Sequence, residues 1–112
     1  MHEPDLLYPT CPVRNILSRM SDKWSLLILS NLNKNGILRY KDLMKNIPDI
    51  SQKMLSSTLK RLEEDHLISR TMYPEIPPRV EYALTETGLE LMPAIQMMVK
   101  WAQAHFDEIM KG

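Results

Sequence analysis

A single cysteine, Cys11, is all that this 112-residue chain carries, so no intramolecular disulfide can brace it. Cys11 and the three histidines, His2, His66 and His105, are too scattered to form a zinc-ligand set. Glycine is nearly as scarce: the three residues, Gly36, Gly88 and Gly112, compose no glycine-rich phosphate loop. The longest apolar stretch lies within Leu26–Leu32, far short of the roughly 20 residues that span a bilayer. The first residues include Glu3 and Asp5 and lack a basic-then-apolar signal pattern, which points to the cytoplasm. No nucleophile, base and orienting group recur at motif spacing, so neither an enzyme nor a cofactor is expected. Net charge is also lacking: 14 basic residues balance 14 acidic ones.

The apolar content, 44%, is ordinary for a globular chain, and the length suits one domain. A domain of this size leaves apolar surface uncovered, and oligomerisation would cover it. The zero net charge hides an uneven distribution. From Lys34 to Leu62 seven basic residues face two acidic ones, Asp42 and Asp49, whereas from Glu63 onward nine acidic residues outnumber four basic. A polyanion responds to the field of the face it meets, so the middle third is the candidate contact surface. A merely solvated helix face is the alternative.

Residues 1–10, with Pro4 and Pro9, read as a short flexible arm. Cys11 precedes Pro12, and proline favours the first helical position, so a helix is expected from there to about Met20. Ser21 or Asp22 can cap a second helix carrying Trp24, Leu27, Ile28 and Leu32 at helical spacing. Asn35-Gly36 ends it, and Ile37-Leu38 suffice only for a tiny strand. A third helix runs through Tyr40, Leu43, Met44 and Ile47 until Pro48 stops it. Ser51 caps a fourth, in which Leu55, Leu59 and Leu62 form a buried stripe. SRTMYP and RVEYAL alternate as two strands around a loop at 75–78, with Val80 and Tyr82 on the face opposite Glu81. Thr85 caps a long last helix with Leu89, Met92, Ile95, Val99, Ala102, Phe106 and Ile109, and Pro93 should kink or restart it. The expected fold is mainly α with a small β-hairpin: N-terminal helices over 11–33, a helix-turn-helix over 40–65, a wing over 69–84 and a terminal helix over 85–110. That order is the order of a winged helix-turn-helix.

The DNA major groove admits one helix, and a helix reading it needs an apolar back and a front of small polar and basic side chains. Turning about 100° per residue sets Lys53, Ser56, Ser57, Lys60 and Arg61 opposite the leucines. The N-terminus beginning at Ser51 adds backbone donors for a phosphate. Arg79 is the basic residue best placed near the wing tip, with an ion pair to Glu75 or Glu81 as its alternative.

Three segments together resemble the HxlR-type regulators, a branch related to MarR-like winged-helix proteins. They are CPVRNILSRMSDKWSLLIL, RYKDLMKNIPDISQKMLSSTLKRLEEDHLISR and YPEIPPRVEYALTETGLELMP, which cover nearly everything from Cys11 to Trp101. The resemblance implies a sequence-specific transcriptional regulator of double-stranded DNA that works as a homodimer through its terminal helices. It maps the reading helix onto Gln52, Lys53, Ser56, Ser57, Lys60 and Arg61; beside that helix, Ser51 at its start and Arg39, Arg70 and Arg79 on the wing and flanks are the further expected DNA contacts. His66 stands where the family often has glycine, in a left-handed helix cap that costs a histidine some stability.

Helix N-termini favour thiolates, Cys11 sits at one, and Arg14 lies one turn along. Some HxlR-type proteins are similar in sensing oxidants or electrophiles with an N-terminal cysteine; a small buried hydrophobe at the interface is the other reading of Cys11. Leu17, Met98, Trp101, Ala102 and Phe106 are the expected dimer interface, because the last helix has more apolar positions than one face buries. A methionine-rich effector pocket is a third use of that surface. The rival function is a winged-helix protein-interaction module, which would more often show exposed apolar anchors on the reading face.

Overall fold

Short polar side chains decide where three of the helices start. The Asp22 carboxylate accepts from the Ser25 amide, the Ser51 hydroxyl from the Met54 amide at 3.0 Å, and the Thr85 hydroxyl from the Gly88 amide at 3.0 Å, each satisfying a donor that the first helical turn leaves free. In the computed structural model, which describes residues 5–111, these caps open α2 (Lys23–Asn35), α4 (Gln52–Glu64) and α5 (Glu86–Ala104). The remaining elements are α1 (Pro12–Met20), β1 (Ile37–Leu38), α3 (Tyr40–Asn46), β2 (Ile68–Tyr73), β3 (Arg79–Leu84) and α6 (Phe106–Lys111). The part of the expected arm at 1–4, including His2 and Pro4, lies outside the described residues.

The three strands form one antiparallel sheet in the order β1-β3-β2, with Tyr82 of β3 flanked by Leu38 and Arg70. The two-residue strand is thus the third member of the wing sheet. Behind it, α2 supplies Ile28, Leu29 and Leu32 to a core shared with Leu43 of α3, Leu55, Leu59 and Leu62 of α4, and Met92 and Ile95 of α5. Burying such side chains stabilises by about 1.5–3 kcal/mol each, so the leucine stripe of α4 fixes which side of that helix remains open.

The turn after α4 is a Schellman motif. His66 adopts φ 62°, its amide donates to the Glu63 carbonyl, and the Leu67 amide reaches back to the Leu62 carbonyl, each at 3.0 Å. The left-handed cap expected at His66 is therefore present. The same turn receives α5: the Thr85 hydroxyl donates to the His66 carbonyl at 2.6 Å, and Gly88 packs so closely on the Leu67 carbonyl that a Cβ would collide with it.

The last helix does not restart at Pro93, and the single run expected to residue 110 is divided further on. The helix continues through Pro93; the carbonyl deprived of its donor is that of Leu89, an exposed position where water can satisfy it. The break falls at His105, whose ring Nδ1 and backbone amide both lie about 3 Å from the Trp101 carbonyl, and whose ring stacks on Trp101. The apolar stripe is also divided: Met92 and Ile95 join the core, whereas Leu89, Val99, Phe106 and Ile109 are exposed. Leu27, at helical spacing with the buried Ile28 and Leu32, is exposed as well, because it faces the open side of the groove between α2 and α5.

Candidate nucleic-acid interface

α4 is held from behind by leucines and from both flanks by polar ties. On one flank Arg61 donates to Asp22 Oδ1 at 2.9 Å and to Ser25 Oγ at 2.5 Å, binding α4 to the start of α2. Burial raises the Asp22 carboxyl, but hydrogen bonds from the Ser25 hydroxyl and amide, together with the Arg61 charge, outweigh it and hold the group below its ordinary value. On the other flank Tyr40 of α3 bonds to the Gln52 carbonyl and to the Ser56 hydroxyl, each at 3.1 Å. Between the flanks Lys53, Ser57 and Lys60 are exposed, and among the described residues neither lysine has an ion-pair partner.

The expected reading set therefore separates into free and engaged members. Lys53, Lys60, Arg39 and Arg70 are exposed cations, and Gln52 is exposed at the first turn. Lys60, Ser56 and Arg70 line one cleft of about 350 Å³ between α4 and the wing, together with Tyr40, Glu63 and Tyr82. Ser51 is engaged by the cap, and Ser57 donates to the Met54 carbonyl of its own helix at 3.1 Å. Arg61 is the correction: placed on the open front by helical rotation, its half-buried side chain turns instead to α2, where Asp22 offers a carboxylate. Arg79 takes its alternative reading, pairing with Glu75 at 2.9 Å and Glu81 at 3.3 Å and covering the Tyr73 ring at 4.2 Å.

Sequence reasoning missed two residues here. Tyr40 counted only toward the apolar stripe of α3; its phenol, an apolar body with a polar tip, was the signal. Thr58 is buried in the core side of α4 with no hydrogen-bond partner for its hydroxyl, and its position among Leu55, Leu59 and Leu62 could have disclosed that burial.

Away from α4, none of the residues of α1 is buried except at its cap, where Cys11 is 7% exposed. Leu17 is 45% exposed, Trp101 57% and Phe106 58%; Met98 and Ala102 are also exposed. Met98 and Ala102 join Leu26, Leu27, Ile95 and Val99 along an apolar groove of about 430 Å³ between α2 and α5. Arg14 donates to the Leu7 carbonyl at 3.0 Å and so braces the segment before α1. No described helix is long and apolar enough to cross a membrane, and no described cluster of histidine, cysteine or carboxylate side chains could hold a metal.

The family model for HxlR-like helix-turn-helix proteins matches residues 19–110. This chain belongs to that family. MalR of Fusobacterium mortiferum, by name a regulatory protein, is 44% identical over 93 residues, covering 83% of this chain and 88% of MalR. Among solved structures, YtfH from Salmonella typhimurium, named as a transcriptional regulator, superposes with a TM-score of 0.85 at 32% identity, covering 97% of this chain and 96% of that one. The redox regulator HypR in its reduced form gives 0.83 at 32% identity, over 90% of this chain and 99% of HypR. HxlR-like membership accounts for the shared plan of helix-turn-helix and wing.

Proposed function

We propose that the protein is a transcriptional regulator that binds double-stranded DNA as a homodimer, with α4 in the major groove and the wing beside it. The observation that carries this reading is the division of α4: its leucines are fully enclosed while Lys53 and Lys60 stand free on the opposite side. Lys53 and Gln52, in its first turn, meet base edges or phosphates. Lys60 and Arg70 take phosphates across the α4–wing cleft, and Arg39 takes one from the start of α3. The one large apolar side chain exposed on α4 is Met54, too little for the anchored core of a protein-binding face.

The second subunit covers the apolar faces of α1, α5 and α6, with Leu17, Met98, Trp101, Ala102 and Phe106 in the interface. A two-fold dimer places two α4 helices about one helical turn of DNA apart, so a near-palindromic site is expected. Charge reversal at Lys53 and Lys60 tests the assignment. In a fluorescence-anisotropy titration of genomic fragments the double variant loses binding while its circular dichroism stays that of the wild type; unchanged affinity would sink the reading.

The likeness to HypR favours a second layer, response to oxidants or electrophiles through Cys11. With one cysteine per chain, oxidation of two thiols to a disulfide must join two subunits, delivering two protons and two electrons to the oxidant. Such a response is absent from Cys11→Ser in a DNA-binding assay with and without diamide; a full response in that variant removes this layer.

A further inference from the structure

The contact between α3 and α4 favours one direction for a proton. A carbonyl oxygen only accepts, and a phenol carries one hydrogen. With Tyr40 Oη 3.1 Å from both the Gln52 carbonyl oxygen and Ser56 Oγ, the Tyr40 hydrogen goes to the carbonyl. With both contacts made as hydrogen bonds, Ser56 gives its own hydrogen to the phenol oxygen. The Gln52 carbonyl accommodates this, since a carbonyl has two lone pairs and the α-helical bond from the Ser56 amide uses one. Outward, Ser56 is left with lone pairs alone. Ser57 differs: its proton goes to a carbonyl of its own helix, a local bond that competes readily with other acceptors.

We propose that Tyr40 is a positioning residue that fixes Ser56 as a hydrogen-bond acceptor, so that Ser56 takes a base presenting an amino group, cytosine through N4 or adenine through N6. In the major groove guanine offers only acceptors, and thymine an acceptor and a methyl group. A Ser56 without a free proton satisfies neither. It also offers nothing to a phosphate, whose oxygens accept, so phosphate contact in the same cleft falls to Lys60 and Arg70. The inference rests on α4 being the DNA-reading helix and names what one of its positions reads.

Selection from a pool of duplexes randomised across the operator, with the full-length protein, tests it. The wild type selects cytosine or adenine at one position per half-site. Tyr40→Phe returns the proton to Ser56, guanine and thymine become acceptable there, and the preference falls on the order of two- to tenfold, the range of one net hydrogen bond. Ser56→Ala loses the same preference, and adding Tyr40→Phe to it changes nothing further. A Tyr40→Phe protein that binds every sequence more weakly with an unchanged base preference overturns the proposal, because Tyr40 then only braces α3 against α4. Preference for guanine or thymine at the position that Ser56→Ala affects overturns it too, and that comparison holds even if Tyr40→Phe does not fold. Absence of any sequence preference in the wild type sinks the reading of α4 itself, and this inference with it.

Discussion

Lys60 and Arg61 are neighbours in the chain and carry the same charge, yet their surroundings predict opposite consequences of removal. Lys60 is exposed beside the wing cleft and has no ion-pair partner among the described residues. Each phosphate neutralised contributes about −0.9 to the slope of log affinity against log salt, and a homodimer presents Lys60 twice. Lys60→Ala is therefore expected to flatten the slope by about 2, so that a fourfold rise in salt costs the variant about tenfold less affinity than it costs the wild type. Arg61, by contrast, is held at 2.9 Å from Asp22 and bonded to Ser25. Both partners of that ion pair are more than a third exposed, so solvent screening limits it to about 0.2–1 kcal/mol. With the Ser25 bond lost as well, Arg61→Ala should cost about 1 kcal/mol and lower Tm by about 4 °C in a domain of this size. Asp22 keeps its bonds to Ser25 and still caps α2, so the loss goes no further. Anisotropy titrations at several salt concentrations and thermal melts of both variants separate the two roles. An Arg61→Ala protein with an unchanged melt and a slope flattened as much as that of Lys60→Ala would refute this assignment, since Arg61 would then be a phosphate contact.

Asp22, held below its ordinary value of 3.8, contributes stability that is fully present above that pH and lost as the pH falls through the lowered folded-state value. The Tm gap between wild type and Asp22→Asn should narrow on acidification below 3.8, and a gap independent of pH contradicts the linkage. Gly88→Ala gains about 1 kcal/mol of helix propensity, but its methyl meets the rigid Leu67 carbonyl, an overpacking cost of about 3 kcal/mol; chemical denaturation should show a net loss of about 2 kcal/mol, and a stabilised variant would mean that α5 sits further from the turn. Trp101→Glu sets a charge in the exposed apolar face of α5 and is expected to shift light-scattering mass from dimer to monomer at micromolar concentration. A dimer of unchanged mass would place the interface elsewhere.

Periodicity and caps made most of the fold legible in the residues themselves. Asp22, Ser51 and Thr85 stand before apolar repeats of helical spacing, and alternation marks β2 and β3 on either side of a proline-rich loop. The left-handed turn at His66 was legible only through the resemblance, which places a histidine where the family often has glycine. The end of the last helix was not: Pro93 is the strongest local breaker, yet the exposed Leu89 position lets water take over the lost bond, and the break falls at His105 instead.

Within the candidate site the boundary is sharper. Helical rotation alone determined that the leucines of α4 turn inward and that Lys53 and Lys60 turn outward, since both follow from spacing along one element. Which outward groups remain free was decided only by the tertiary structure. Arg61 meets Asp22 from 39 residues away, and Ser56 meets Tyr40 from 16 residues away; a side chain's hydrogen-bonding capacity depends on what the fold brings beside it, and no local pattern records that distance.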